Sequence, residues 1–446
     1  MKIRIPENLG ISLRKEIFKR GGHEYVAFAL VSHTMAGNEI LVLVKDIEFL
    51  AEQEYVETLY HGAHWRGSAT IRILNRALAG KLGILLFHAH EYSESVGLSM
   101  DDVKSARELL PVYQNLIPDR PHGSIVIGHE SAAGIVLLPG EDAISEVTSV
   151  RWLGDVMRDW TPHGNRKISS PVVPAIYSTQ ALLIGSSGQR KLSHTKVAVV
   201  GLSGGGSHVV QQLSHLGVGE IIAIDPDISE EDNRHRVIGM TKKDIREETP
   251  KVEVMRRMAR SINDEVALKP VGHLVSEEFA ITELKRADVV IGCVDSLHAR
   301  ADIQALCLRY LIPYVDIGLL IVPGENGSVS IGGNIITSIP GRACLWCMRF
   351  LSEKKLAEET GGKPRSYFQG TEKQAQVVSF NGLLASAAMN ELLQLVTGFG
   401  PSSTAVSIKK FDGVSNTLED WKVEPLQNCP ICRTELAAGD PVWEKL

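Results

Sequence analysis

The segment Lys196–Ile224 limits the fold of this chain more than any other. An apolar run, Lys196–Val200, passes directly into Gly201-Leu-Ser-Gly-Gly-Gly206. A helical period over Ser207–Leu216 follows, and then a second apolar run, Glu220–Ile224. Strand, glycine turn, helix, strand is the pattern of a parallel sheet covered by helices, so an α/β fold is expected. Glycines in such a turn let backbone N–H groups approach a phosphate, and the following helix N-terminus favours the anion. Gly201, Gly204 and Gly206 are therefore candidate nucleotide contacts. Asp225 ends the second strand, 24 residues after Gly201, where a carboxylate can accept ribose hydroxyls. Alone, the turn fits a dinucleotide-binding dehydrogenase or a tight βα connection.

Upstream, Thr161-Pro-His-Gly-Asn-Arg-Lys-Ile-Ser-Ser-Pro-Val-Val-Pro174 has neither apolar period and reads as a linker. It divides the 446 residues into a first domain at 1–160, a linker at 161–175 and a second domain at 176–446. Each domain is long enough to bury its own core. The first has mixed α/β patterning. Tyr25–Ser32 and Glu39–Val44 read as strands, Ala69–Ala79 as a helix and Gly83–Phe87 as a buried strand. Met100–Leu110 reads as a helix, and Gly123–Ile127 with Gly134–Leu138 as a hairpin.

The net charge of −6 argues against a large cationic nucleic-acid footprint. No apolar run is long enough to span a bilayer, and Met1–Arg14 has no signal core. All six cysteines lie at or after residue 293, four of them as two C-x-x-C pairs, which suits a metal site in a reducing compartment. A cytoplasmic protein with no nucleic-acid or membrane partner is expected.

The residues after Asp225 form an ordered series. Asp225-Pro-Asp227 is followed by Asn233-Arg-His-Arg236, and Thr249-Pro-Lys251 opens an amphipathic helix running to Asn263. A strand at Ala287–Gly292 leads into Cys293-Val-Asp295-Ser-Leu-His-Ala-Arg300. A dehydrogenase leaves Asn233, Arg236, Lys251 and the cysteine pairs unexplained. The series resembles the ThiF/MoeB/HesA superfamily, which includes ubiquitin-activating enzymes, over roughly residues 176–435. Tyr177-Ser-Thr-Gln180 with Gly185–Leu192, and Val377–Ala387, resemble its first and late core helices. The resemblance implies a Rossmann-like, mostly parallel sheet and transfer of AMP from ATP to a carboxylate. It places Asp295 on the Mg²⁺ side, Arg236 and Lys251 as phosphate clamps and Asn233 as a phosphate-side donor. Asp225, with its neighbour Asp227, falls on the ribose side, and a homodimer is implied.

The sequence departs from that family at two points. Ser203 stands where the glycine turn usually has its second Gly. Ile176-Tyr-Ser-Thr-Gln180 stands where the family has R-Y-x-R-Q, so neither arginine is present. Arg190, Arg234 and Arg300 are the candidate replacements.

Cys344-Leu-Trp-Cys347 and Cys429-Pro-Ile-Cys432 have zinc-ligand spacing, with 81 residues between the pairs. Four thiolates leave no open coordination position, so a structural zinc knuckle is expected. Family members that carry a ubiquitin-like protein as a thioester use a cysteine in the region after the first knuckle. Residues 352–376 contain none. Transfer of the acyl-adenylate to an external nucleophile follows, with a thioester on Cys293 or Cys307 as the alternative.

In the first domain, His88-Ala-His90 ends a strand, and period two puts both rings on one face. Ser99-Met-Asp-Asp102 then opens a helix. Two His, an Asp and water make a catalytic zinc pattern. The set resembles the JAMM/JAB (MPN) metalloprotease domain, with H-x-H, then S-x-x-D, and an upstream Glu. The resemblance makes His88, His90 and Asp102 the ligands, Ser99 an oxyanion donor and Glu24 the general base. Asp101 is the alternative ligand, because the loop to Ser99 is one residue longer than usual, and Glu91 replaces the usual Pro.

Together the resemblances imply ATP-, Mg²⁺- and Zn²⁺-dependent adenylation of the C-terminal Gly of a ubiquitin-like or sulfur-carrier protein. A zinc peptidase or isopeptidase on the same chain would process or deconjugate it. The alternatives are adenylation of a peptide or small carboxylate with the first domain as a binding module, and a non-catalytic scaffold.

Overall fold

A computed structural model describes residues 1–19, 24–56, 62–90, 95–164, 173–324, 328–361, 375–400 and 407–441. Residues 165–172 of the expected linker, Glu91, and 362–374 of the cysteine-free stretch lie outside them. The chain forms two compact units. The first comprises Met1–Ser169, Arg309–Leu311 and Thr434–Leu446, and the second comprises Ser170–Leu308 and Ile312–Arg433.

The first unit runs β1 (Lys2–Ile5), α1 (Glu7–Ile17), β2 (Val26–Ala36), β3 (Glu39–Phe49), α2 (Gly67–Gly80), β4 (Gly83–Ala89) and α3 (Met100–Leu116). It continues with β5 (His122–Ile127), β6 (Ala132–Leu137), β7 (Ile144–Glu146), β8 (Ser149–Trp152) and β9 (Arg158–Trp160). One sheet has the order β7-β6-β5-β4-β2-β3-β1-β8-β9. Alternation sorts its side chains between two cores. Ala27, Ala29, Val31 and Phe87 pack with Leu13 and Ile17 of α1. Val26, Phe28, Leu30 and Ile84 pack with Ile73 of α2 and with Leu110 and Tyr113 of α3. Helices therefore cover both faces. His88, one position after Phe87, falls on the α2/α3 face, and His90 follows it by period two.

Most elements of this unit exceed their expected bounds. β2 and β3 form an 11-residue antiparallel pair, and α3 continues through Pro111 to Leu116. The short β1 and β7–β9 carry too few alternating residues to stand out in the sequence. The tail also belongs here: Ser32 Oγ donates to Ala437 O (2.7 Å), and Asp440 N donates to His33 O (2.7 Å).

The second unit runs α4 (Ala181–His194), β10 (Lys196–Val200), α5 (Gly204–Leu216), β11 (Glu220–Ile224), α6 (Lys242–Arg246), α7 (Lys251–Ile262) and β12 (Ala267–Val271). Next come α8 (Glu278–Leu284), β13 (Val289–Gly292), α9 (Leu297–Arg309), β14 (Tyr314–Pro323) and β15 (Val329–Ser338). α10 (Glu353–Thr360), α11 (Val378–Thr397), β16 (Ile408–Asp412), β17 (Thr417–Trp421) and α12 (Pro430–Glu435) complete it. The sheet order is β12-β11-β10-β13-β14-β15-β16-β17. The pairs from β12 to β14 are parallel, and those from β14 to β17 antiparallel. β10 and β11 keep their expected bounds, because strands buried on both faces read as continuous apolar runs. Topology places β10 between β11 and β13, so the ends of these three strands meet. Among the described residues no helix is long and apolar enough to cross a membrane.

Candidate functional site

The glycine turn is held by backbone geometry. Gly201 has φ +86°, a conformation that favours glycine. A Cβ on Gly206 would lie 1.8 Å from Gly201 O, so no larger residue fits there without opening the turn. Gly204 packs against the Asn381 amide at the start of α11. Ser203 stands at the N-cap position of α5 without a side-chain cap bond, and its φ of −81° keeps it out of the left-handed region that favours glycine.

Asp225, buried at the end of β11, braces the turn. Its Oδ2 accepts from Leu202 N (2.6 Å) and its Oδ1 from Asp227 N (2.8 Å). Burial pushes the Asp225 carboxyl up, and the Lys251 ammonium opposes the shift. Lys251 begins α7 almost wholly buried, and its Nζ donates to Asp227 Oδ2 at 2.7 Å. The expected phosphate clamp is thus already paired in the free protein, and a phosphate there has to compete with Asp227. Asn233 is buried. Its Nδ2 donates to Asp232 Oδ1 (2.6 Å), while its Oδ1 has no partner among the described residues. An unpaired buried acceptor is costly, so this atom suits a ligand donor. Arg236 is half-buried and donates to Asp232 O.

Asp295 lies three residues after the end of β13 and is exposed, with no hydrogen bond or ion pair among the described residues. Arg300, a candidate replacement for the missing arginines, is buried. Its Nε and Nη2 donate to Val294 O (3.1 and 2.6 Å), and Nη2 donates to Ile317 O (3.1 Å). It is occupied in holding the backbone beside Asp295. Arg234 pairs with Glu231 at 2.7 Å. Ile176 and Thr179, at the missing arginine positions, are exposed. Tyr177 between them is buried and accepts from Asn263 Nδ2 (2.5 Å), and Gln180 donates to Leu216 O (3.0 Å). That element retains its structural residues and lacks its charges.

Cys293 lies behind the turn, and burial pushes its thiol up, which disfavours the thiolate a thioester needs. Cys307 is fully buried.

The other four cysteines converge. Cys344 Sγ is 3.7 Å from Cys347 Sγ and from Cys429 Sγ, and Cys347 Sγ is 3.8 Å from Cys432 Sγ. A tetrahedral ion with Zn–S bonds of about 2.3 Å sets its sulfurs about 3.8 Å apart, whereas a disulfide needs about 2.05 Å. The cluster therefore fits zinc. The Cys344 and Cys432 thiols and the Leu426 N–H hold Cys347 well below the usual thiol range.

In the first unit, His88, His90 and Asp102 also converge, with their ligand atoms within 4.8 Å of one another. His88 Nε2 is 3.2 Å from Asp102 Oδ1, and His90 Nε2 is 3.6 Å from Asp102 Oδ2. Zinc bonds of about 2.0–2.2 Å to N and O set neighbouring ligand atoms about 3.3–3.6 Å apart, so the donor set fits a divalent ion. Asp102 is the acid in the cluster, and Asp101 is exposed one position away. Ser99 and Asp102 form a capping box: Ser99 Oγ accepts from Asp102 N (3.1 Å) and Asp102 Oδ2 accepts from Ser99 N (2.7 Å). This box fixes the carboxylate at the start of α3. Glu24 is exposed two residues before Val26, which pairs with His88, and its charge reaches the His90 ring.

Sequence reasoning missed Glu359, whose carboxylate meets the start of α9 beside Asp295. It is one of three Glu on a short polar helix, and no spacing marks it. Asn381 against Gly204 was equally silent.

With the geometry in place, comparison with known proteins identifies the second unit. Residues 177–431 match the ThiF family. The chain is 26% identical over 273 residues to the sulfur carrier protein ThiS adenylyltransferase of Escherichia coli, covering 60% of this chain and 97% of that protein. It is 25% identical over 250 residues to the SAMP-activating enzyme E1 of Haloferax volcanii, covering 56% and 84%. It is 24% identical over 259 residues to the molybdopterin-synthase adenylyltransferase of E. coli, covering 57% and 95%. A glycine turn, an Asp225–Asp227–Lys251 series and three of the four clustered cysteines lie inside a match spanning more than half the chain, and Cys432 follows it by one residue; these have one common explanation: the chain belongs to the ThiF family.

Proposed function

We propose that the chain adenylates the C-terminal carboxylate of a sulfur-carrier or ubiquitin-like protein. A carboxylate oxygen attacks the α-phosphorus of ATP, pyrophosphate leaves and an acyl-adenylate forms. One observation carries this reading: the glycine turn, Asp225, Asp227 with Lys251, and Asp295 gather at adjoining ends of β10, β11 and β13 in a ThiF-family chain. Backbone N–H groups of the turn bind phosphate, and Asp225 takes the ribose. Lys251 leaves Asp227 to neutralise phosphate charge, with Arg236 beside it, and the Asn233 amide N–H has to leave Asp232 to donate there. Asp295 holds Mg²⁺. Such a site works through positioning and electrostatics. With Cys307 sealed in the core and the Cys293 thiol raised by burial, the acyl group passes to an external nucleophile. Ile176 (67% exposed), Leu182 (87%) and Leu183 (67%) are exposed apolar residues close together in the chain, and a homodimer contact would cover them.

The first unit we read as a JAMM/JAB-like zinc peptidase or isopeptidase that trims the carrier or releases it from a conjugate. His88, His90 and Asp102 would hold the ion, which would supply Lewis acidity for amide hydrolysis. Glu24 would take a proton from the attacking water and pass it to the leaving amine, and the Ser99 hydroxyl would donate to the developing oxyanion. Trimming would expose the carboxylate that the second unit adenylates.

ATP–pyrophosphate exchange with a Gly-Gly-ended carrier protein tests the adenylation, and no exchange with any such carrier overturns it. Metal analysis tests the peptidase. Two zinc ions per chain are expected, and a single zinc lost only on Cys344 substitution would leave the first unit as a binding module.

A further inference from the structure

Asp295 is an exposed acid of the second unit, and its own carboxylate has no partner among the described residues. Its aim therefore depends on the backbone that carries it. On one side, Arg300 grips Val294 O through two donors. Arg300 Nε lies 3.5 Å from the fully buried Asp316, which also accepts from Tyr314 OH (2.6 Å). That side is anchored in the core.

The other side is held from a distant part of the chain. Glu359, near the end of α10, meets the first turn of α9. Its Oε1 accepts from Leu297 N (2.7 Å). Its Oε2 accepts from His298 N (3.1 Å) and from Ser296 Oγ (3.3 Å), and lies 2.7 Å from His298 Nδ1. Four donors from the three residues after Asp295 converge on one carboxylate. Burial opposes its charge, but the His298 ring and the two backbone N–H groups outweigh it and keep the carboxyl below its usual range. The first N–H groups of a helix lack partners within it. α9 has its cap supplied from 61 to 62 residues away, rather than by Ser296 alone.

We infer that Glu359 is a positioning residue for Asp295. By tying Ser296, Leu297 and His298 to α10, it completes a two-sided clamp, with Arg300 on Val294, that aims the Asp295 carboxylate at the Mg²⁺ of bound Mg·ATP. The inference rests on the adenylation reading for the role of Asp295. A plain helix cap would stabilise the fold and leave metal dependence untouched; a positioning residue changes what Mg²⁺ adds to ATP binding.

Calorimetry on the full chain separates these cases without a carrier protein. ATP is titrated once in excess Mg²⁺ and once in EDTA, and the ratio of affinities is the Mg²⁺-dependent gain. Asp295→Ala is expected to abolish that gain. Glu359→Gln is expected to reduce it about tenfold while leaving ATP binding in EDTA unchanged, and to add nothing in the Asp295→Ala background. His298→Asn, which keeps both backbone bonds to Glu359, reduces it less, and serves if Glu359→Gln does not fold. A folded Glu359→Gln with the full gain overturns the inference. So does one that loses affinity equally with and without Mg²⁺, or an additive double variant. A wild-type protein with no Mg²⁺-dependent gain overturns the adenylation reading as well, and so is distinguishable from failure of the clamp alone.

Discussion

The two candidate sites are built in opposite ways. In the first unit, three side chains between His88 and Asp102 converge, from one strand end and one helix start. In the second unit, the site spans Gly201 to Asp295, with the ends of three strands and much of the contact surface made by backbone. A local cluster depends on side-chain chemistry, so a single substitution removes it and leaves the fold. A dispersed site depends on the fold itself, and several of its members are already engaged with one another. Lys251 on Asp227 and Arg300 on Val294 O are examples.

Four substitutions test this contrast, from the largest expected effect to the smallest. Cys344→Ser removes a ligand of the four-sulfur cluster, which ties residues 344–347 to 429–432. Loss of its zinc and a melting temperature lower by roughly 10 °C are expected in metal analysis and calorimetry. Melting unchanged by metal loss would show that the cluster does not hold the fold. Gly206→Ala forces a Cβ against Gly201 O and should weaken ATP binding roughly 100-fold, with zinc content unchanged. An alanine variant with wild-type ATP affinity would mean that the turn does not carry the phosphates.

Asp102→Asn is the counterpart in the first unit. Zinc affinity of the His88–His90 cluster should fall about 10–100-fold, while ATP affinity and the four-sulfur zinc stay as they are. Coupled loss at both sites would break the contrast between them.

The smallest effect lies outside both sites and asks whether destabilisation alone imitates either loss. Asp244 is buried and accepts from Arg257 Nη1 (2.5 Å) and Nη2 (2.8 Å) and from Thr241, which hold its carboxyl below the usual range. Its folded pKa is lower than its unfolded one, so its contribution is complete above the unfolded value, near pH 4, and is lost as pH falls toward the folded value. Asp244→Asn should therefore cost about 1–2 kcal/mol at pH 7 in denaturant unfolding, with Arg257 half in solvent. The difference should shrink below about pH 4, and a constant difference across pH would exclude the carboxylate as its source.

Much of this contrast is legible in the amino-acid sequence. The bounds of β10 and β11 follow from unbroken apolar runs, because strands buried on both faces need them. The shared face of His88 and His90 follows from strand alternation, and the cysteine pairs follow from ligand spacing. The short β1 and β7–β9 are not legible, since three or four residues define no period. Nor is the ten-residue β14–β15 pair, in which Gly318, Gly332, Gly333 and Asn334 interrupt the alternation. The tail reads as an extension of the second domain, yet Ala437 and Asp440 bond to β2. Long-range pairing leaves no local pattern.

By itself the sequence determined the glycine turn, the strand that feeds it, the residue types of both candidate metal clusters and the ordered acids and bases after Asp225. Each of these depends on steric or chemical needs confined to a few neighbouring residues. Only the tertiary structure decided which of those groups are already paired. It placed Lys251 on Asp227, buried Arg300 against a carbonyl, chose Asp102 over Asp101 and brought Glu359 to the residues after Asp295. The reason is that partner choice for a charged side chain is set by burial and by contacts across tens of residues, and spacing along the chain does not encode them.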